Sequence, residues 1–373
     1  MAPLDEAELA ELSAELLEAL EKSEYPCSSL TLLTGGSINL VYRGILKTPN
    51  SARDTVIIKL ATSFLAVNPA FEIDASRSSV ESAVLVALES VGLPFSTPKS
   101  LFFELDSGVG IQIHEDFRDA LNVSAILRST TTSRAVATAI GCDLGFCLKS
   151  FQDLVTSKFE TAFSQSRDIW TTSPMRLMKY RTSYGSFIEV LDRFPGMTDD
   201  CKPLLEEVGE MAIHELEMQP WDQKLQYWSM IHGDFCTGNV LLLNPPSPAS
   251  PNKVVIIDWE LAQYGHFAYD LGQLIGDLCE NHLLDSPQNA KWTIEGFIRG
   301  YGGLSDELAF RTAIHAGVHF IHWYIRRPPT AEMLETPEKI ADAMKLGRDI
   351  VVKGWKKDRA WFKGTILAPL FGF

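Results

Sequence analysis

The sequence has no C-x-x-C pair, no apolar run of bilayer-spanning length and no excess of positive charge. Its six cysteines (Cys27, Cys142, Cys147, Cys201, Cys236 and Cys279) show no zinc-finger spacing with any histidine. That excludes a Cys/His metal module and predicts free thiols in a reducing compartment. Apolar runs fall short of the roughly 20 residues that span a bilayer. The acidic N-terminus, with Leu9, Leu12, Leu16 and Leu20 at helical spacing, is unlike a signal peptide. A cytoplasmic protein without a membrane partner is therefore expected. Against 48 acidic residues stand 33 basic ones, a formal charge of −15, which argues against a nucleic-acid partner. The charge is uneven: the N-terminal segment is acid-rich and residues 339–373 are base-rich. Such a tail either packs on an acidic body or contacts phosphate.

What is present is length and two kinds of hydrophobic periodicity. A chain of 373 residues exceeds one simple core and suits two domains or two lobes. Residues 3–22 read as an amphipathic helix. Over residues 30–62, β-rich runs flank Gly35-Gly36, a hairpin signal. Residues 74–91 read as a helix carrying Glu81, and "KSLFFEL" and "GIQIHEDF" as two further strands ending near Phe117. Beyond that point, residues 133–155, 202–218, 263–282, 289–301, 306–326 and 335–355 show helical spacing. Short β runs at 239–243 and 253–258 interrupt them, separated by the loop "NPPSPASPN", which continues neither strand. The expected class is α+β: a β-rich N-lobe over residues 1–115, with a small antiparallel sheet and one helix, and a larger, mainly helical C-lobe over 116–373.

The polar residues around those two β runs carry the chemical signal. Asp234 precedes Asn239 by five residues in "HGDFCTGN", and "KVVIID" ends on Asp258. An antiparallel hairpin brings the residue before its first strand close to the residue after its second. One carboxylate, one amide and a second carboxylate would then meet. Phosphoryl transfer from ATP needs such parts: oxygen ligands for Mg²⁺, a carboxylate to receive the acceptor's proton, and a turn and a Lys for the phosphates. The turn candidate is "TGGSIN", with Gly35, Gly36, Ser37 and Asn39; the Lys candidate is Lys59, closing "VIIK". Glu81 is the acid able to hold Lys59. Each has a plainer reading taken alone: an ordinary hairpin, an exposed strand-end Lys, a helix-surface Glu, and Asp residues capping turns or helices.

"HGDFCTGNVLL" followed by "IIDWELAQYGHFAYDLGQL" resembles the catalytic and metal loops of the aminoglycoside phosphotransferase and choline kinase superfamily. These are small-molecule kinases with a protein-kinase-like fold. The resemblance spans roughly residues 30–325. With "LTGGSINLVYRG", "VIIKLA" and "RSSVESAVL", it lies nearest the methylthioribose kinase and fungal 4-hydroxytryptamine kinase branch. It implies Asp234 as catalytic base, Asn239 and Asp258 as Mg²⁺ ligands, and Lys59, oriented by Glu81, on the ATP phosphates. It also implies a hinge over residues 112–117, with His114, Glu115 and Phe117, that holds the adenine. Glu260 completes an Asp-x-Glu whose second acid lies beside the metal; a structural Glu opening a helix is its rival reading. Asp270 is the expected brace of the catalytic loop. The family's paired arginines find a displaced counterpart in Arg326-Arg327.

The expected function is thus an ATP- and Mg²⁺-dependent phosphotransferase acting on the hydroxyl of a small molecule. A catalytically inactive nucleotide-binding pseudokinase and, further off, a protein kinase are the alternatives. Among His315, His319, Phe320, His322, Trp323 and Tyr324, most are expected in the core, with His319 or Trp323 facing the acceptor. Asp277 and Glu280, one turn apart, read as a solvated face or as partners of a substrate amine. An aromatic or amine-bearing alcohol fits the aromatic segment and the net acidity. The chain is expected as a monomer or homodimer.

Overall fold

The computed structural model describes residues 5–33, 38–50, 53–65, 68–106, 109–162, 174–218, 225–284, 287–326 and 336–373. The class is α+β. Contacts divide the chain into two compact units, residues 1–89 with 97–119, and residues 90–96 with 120–373.

Among its described residues, the first unit holds a five-stranded antiparallel sheet, a small hairpin and two helices. Helix α1 (Glu6–Glu21) opens with a reciprocal cap, in which Asp5 accepts from the Ala7 and Glu8 amides and Glu8 from the Asp5 amide. Its Leu16 and Leu20 pack with Cys27, Tyr42, Val56, Ile58 and Ile113 of the sheet. Strands β1 (Cys27–Leu32), β2 (Leu40–Asn50), β3 (Arg53–Ala61), β6 (Ser100–Asp106) and β7 (Val109–Glu115) lie in the order β1-β2-β3-β7-β6. A small hairpin of β4 (Phe64–Leu65) and β5 (Asn68–Glu72) follows β3, and α2 (Arg77–Glu89) follows that hairpin. The helix and strands expected here are present. The Gly35-Gly36-Ser37 turn lies outside the described residues.

In the second unit, residues 90–96 are clipped onto a hairpin. Ser96 bridges Val255, and the Lys158 ammonium donates to the Val91 carbonyl at 2.6 Å. Strands β10 (Val240–Leu242) and β11 (Val254–Ile256) form the expected antiparallel pair, shorter at each end than its sequence suggests. Strand β8 (Leu121–Asn122), too short to show a pattern, adds a third to this sheet. Residues 263–266 depart from the helical reading: they form strand β12 (Gln263–His266), paired with β9 (Trp228–Ile231). The backbone groups of those residues are satisfied by β9, so the helix begins after them.

The helices of this unit are α3 (Val123–Arg128), α4 (Arg134–Ala162), α5 (Pro174–Arg181), α6 (Phe187–Asp192), α7 (Lys202–Glu217), α8 (Ala268–Leu284), α9 (Pro287–Tyr301), α10 (Asp306–Arg326), α11 (Pro337–Trp355) and α12 (Arg359–Phe362). Glycines set how closely α4 and α9 approach. A Cβ on Gly141 would lie 2.2 Å from the Thr293 carbonyl oxygen, and one on Gly300 2.0 Å from that of Cys142. Only hydrogen fits at such a backbone-to-backbone crossing. The basic tail resolves in favour of packing: Arg359 pairs with Asp306 and donates to the Phe371 carbonyl, while Phe362 and Phe371 stack beside Phe310.

Candidate active site

Strand β9 delivers the chain to His232-Gly233-Asp234. Two features fix the turn that follows. Gly233 has φ +80°, and a Cβ there would sit 2.0 Å from the Leu261 carbonyl oxygen. Asp270, fully buried at the start of α8, accepts from the amides of His232 (2.8 Å) and Gly233 (2.9 Å). Burial pushes the Asp270 carboxyl above the usual range, and the nearby His232 and those two amides pull the other way. His232 is locked as well. The Asp234 amide donates to its Nδ1, so Nε2 carries the hydrogen given to the Ile257 carbonyl at 3.0 Å. The ring lies 4.4 Å from that of Trp259. Asp270 therefore supports the loop, as the sequence resemblance implied, and His232 supports it from the other side of the turn.

Asp234 is gripped from two sides. Asn239, in a single 3₁₀ turn (Thr237–Asn239), turns its Nδ2 to the Asp234 carbonyl (2.9 Å) and to Oδ2 (2.8 Å). Both partners are acceptors, which assigns the amide nitrogen to that side and leaves the Asn239 Oδ1 directed elsewhere. On the other side, the Nε2 of Gln273 donates to Asp234 Oδ1, and the Oε1 of Gln273 accepts from Lys179. The turn itself is held by Asp277, which accepts from the Thr237 amide (2.9 Å) and hydroxyl (2.6 Å).

The hairpin does what its sequence implies. Val240 faces Ile256, and the Ile257 amide donates to the Asn239 carbonyl at 3.0 Å, so the ends before β10 and after β11 meet. Asp258 follows in the left-handed region (φ 68°, ψ 62°), a conformation that Asp adopts more readily than most residues. Its side chain makes no capping bond to the 3₁₀ turn Trp259–Leu261, contrary to the plain capping reading. Glu260 lies in the first turn of that 3₁₀ helix and is 2% exposed, a placement that suits both the metal-side acid and the structural Glu opening a helix. Carboxylate oxygens of Asp258 and Glu260 lie within 4.8 Å of each other. A hard divalent cation takes oxygen donors of this kind, and these residues fit one.

In the first unit, Lys59 and Glu81 form a buried ion pair at 2.7 Å. The plain readings of both as surface residues fail, since they are 6% and 1% exposed. Asn39 is buried, and its Oδ1 accepts twice from Arg77, at 2.7 and 3.2 Å. His114 is buried within β7, while Glu115 donates its amide to the Lys99 carbonyl and Phe117 is half-buried beyond the strand. Gly35, Gly36 and Ser37 are not among the described residues.

On α10, His315, Phe320, His322 and Trp323 are buried; His319, less so, lies 3.8 Å from Glu280 and accepts from Arg326. Burial holds His315 and His319 well below the ordinary histidine range and His322 at about 4. Asp277 and Glu280 are not a solvated face: Asp277 holds Thr237, and Glu280 pairs with Arg326. Arg327 lies outside the described residues.

Sequence reasoning missed Lys179, Gln273 and a buried cluster around Arg311. Arg311 donates to the Tyr184 hydroxyl (2.8 Å) and to Glu215 (2.6 Å), which also accepts from Tyr269. No spacing rule marks these residues. Gln273 did stand in the quoted "YDLGQ", one turn after Asp270, on the face that meets the loop.

A braced carboxylate, an amide and a second acid meet at the mouth of the β-hairpin. The chain belongs to the phosphotransferase enzyme family APH, whose sequence model matches residues 81–311. It is 28% identical to the phosphotransferase FrzJ of Cladobotryum, over 98% of each chain. It is 22% identical to the 4-hydroxytryptamine kinase of Psilocybe cubensis, covering 79% of this chain and 80% of that one. A shorter match, 42% over 55 residues, links it to the methylthioribose kinase of Bacillus cereus, at 15% of this chain and 12% of the relative. Among solved structures, an aminoglycoside 2'-phosphotransferase-IIIa mutant in complex with GDP aligns with TM-score 0.53 at 14% identity, covering 95% and 99%. The aminoglycoside phosphotransferase APH(3'')-Id of Streptomyces rimosus aligns with TM-score 0.50 at 15% identity, covering 84% and 99%. The fold is kinase-like, and the family with its kinase relatives makes this chain a small-molecule kinase. Among the described residues no helix is long and apolar enough to cross a membrane, and all six cysteines are free thiols.

Proposed function

We propose that this enzyme transfers the γ-phosphoryl group of ATP to a hydroxyl of a small molecule. The observation that carries the reading is Asp234 itself, a carboxylate fixed by Asn239 and Gln273 on a loop braced by Asp270. A carboxylate held in one orientation can align a hydroxyl for in-line attack and receive its proton as the O–P bond forms. Two of its lone pairs are taken by amides, and the remaining ones are available to the hydroxyl.

Asn239 Oδ1 and Asp258 are the oxygens suited to Mg²⁺, with Glu260 beside them. The ion, when bound, compensates charge on the phosphates. Lys59, its ammonium fixed by Glu81, is the phosphate contact, and residues 112–117, with His114, Glu115 and Phe117, are the adenine hinge. On this reading residues 1–115 serve as the nucleotide-binding lobe and residues 116–373 as the catalytic lobe. For the acceptor, the match to 4-hydroxytryptamine kinase over most of the chain favours a hydroxylated aromatic amine over a sugar. His319, next to Glu280 and less buried than its neighbours, is the first acceptor contact to test.

The test is ADP release from Mg-ATP against a mixed panel of small alcohols, read by mass spectrometry for the gain of one phosphate. One phosphorylated product from the native chain, lost in Asp234→Asn, supports the reading. ATP binding without any product from the panel refutes it.

A further inference from the structure

Lys179 and Gln273 lie 94 residues apart and share a buried contact at the catalytic carboxylate. Lys179 is 6% exposed on α5, and Gln273 is 2% exposed on α8. The order of donors is fixed by chemistry. An ammonium can only donate, so Gln273 must present its carbonyl oxygen to Lys179. Its remaining atom, the Nε2 amide, then faces Asp234 Oδ1 as a donor. A neutral lysine partner elsewhere would leave that amide free to flip; the ammonium holds it. The ammonium also polarises the amide, which strengthens its hydrogen bond to the carboxylate in a water-poor interior.

The placement is costly. A lysine this deeply buried is opposed by desolvation, and its partner is a neutral amide rather than an acid. A simple packing role would be served better by an apolar side chain. We propose that Lys179 and Gln273 act together as positioning residues, which set the orientation of Asp234 for the acceptor hydroxyl through the series ammonium, amide, carboxylate. This inference rests on the reading of Asp234 as the base. Neither residue touches substrate in this scheme, and neither exchanges a proton.

The test compares Gln273→Glu, Gln273→Leu, Lys179→Met and the Lys179→Met/Gln273→Leu double variant. Each is assayed with Mg-ATP and the mixed alcohol panel as acceptor, with Asp234→Asn alongside. Gln273→Glu is the decisive variant. It keeps an acceptor for Lys179, and so the buried contact and the fold, but sets a carboxylate against Asp234. Its kcat is expected to fall at least about a hundredfold, with the KM for ATP and the thermal midpoint close to native. Gln273→Leu and Lys179→Met each lose about tenfold or more in kcat, and the double variant loses no more than the worse single. Native kcat in Gln273→Glu, or losses that multiply in the double variant, overturns the proposal while leaving the base assignment standing. Native kcat in Asp234→Asn overturns the base assignment instead, so the two failures are told apart. Loss of thermal midpoint in step with activity across all variants marks a merely structural contact and also overturns the proposal.

Discussion

Among the described residues, each unit buries one lysine to the same degree, and the two are answered in opposite ways. Lys59, in the first unit, meets the carboxylate of Glu81 at 2.7 Å. Lys179, in the second, meets the neutral amide of Gln273, with Asp234 and Asp270 near enough to favour its charge. A charge paired directly leaves its hydrogen-bonded partner uncompensated when it is removed; a charge answered through an amide leaves only more distant carboxylates less compensated. The first arrangement suits an ammonium that must stay charged and stay still. The second suits one whose work is to hold a neighbour.

The largest expected effect separates the two units by function. If Asp234 is the base proposed above, Asp234→Asn removes the proton-receiving carboxylate, and kcat should fall about a thousandfold or more. Mg-ATP binding by isothermal titration should change little, since the residues assigned to nucleotide are untouched. Next comes the ion pair. Lys59→Ala leaves Glu81 buried without its ammonium, which costs about 3–5 kcal/mol in denaturant unfolding, along with a raised KM for ATP. Lys179→Met breaks no direct ion pair, although it takes a favourable charge from Asp234 and Asp270 and a donor from Gln273, and should cost less, about 1–3 kcal/mol, in the same unfolding measurement. A loss for Lys179→Met equal to that for Lys59→Ala would dissolve the contrast.

Two smaller effects sharpen it. Gly233→Ala forces a side chain at φ +80° against the Leu261 carbonyl, with an expected stability loss of about 2–3 kcal/mol confined to the second unit. Acid should weaken that unit as well. His322 and His266 stay neutral in the fold, pushed down to about 4 and about 3 by burial. The unfolded chain binds protons at these sites below about pH 6.5, so stability is full above that value and falls as pH drops toward the folded values. At pH 5 each histidine accounts for about 2 kcal/mol. Replacing His322 with Gln should flatten its share of the slope in pH-dependent thermal unfolding.

Legibility in the sequence followed distance along the chain. The hairpin at 240–256 announces its strands by apolar runs, and the meeting of Asn239 with the segment leading into Asp258 is a consequence of antiparallel pairing. The pairing of Lys59 with Glu81 came from the family resemblance, since taken alone each residue read as exposed. Residues 263–266 were misread because four residues fit either period; only the presence of β9 alongside decides for a strand. The face of α8 bearing Asp277 and Glu280 looked solvated because acids usually are, whereas Thr237 and Arg326, from other segments, enclose it.

By itself, then, the sequence determined the α+β class, the order of the longer elements and the acids and amide at the hairpin mouth, since these follow from local periodicity and from residues close in the chain. The tertiary structure alone decided that Asp234 would be held from a second side, because Gln273 reaches it from a helix 39 residues away and is itself held by Lys179. It also decided that Asp258 would enter its turn left-handed and that His315 and His322 of α10 would be buried. Long-range contacts are set by how whole helices pack, and no window of sequence contains that information.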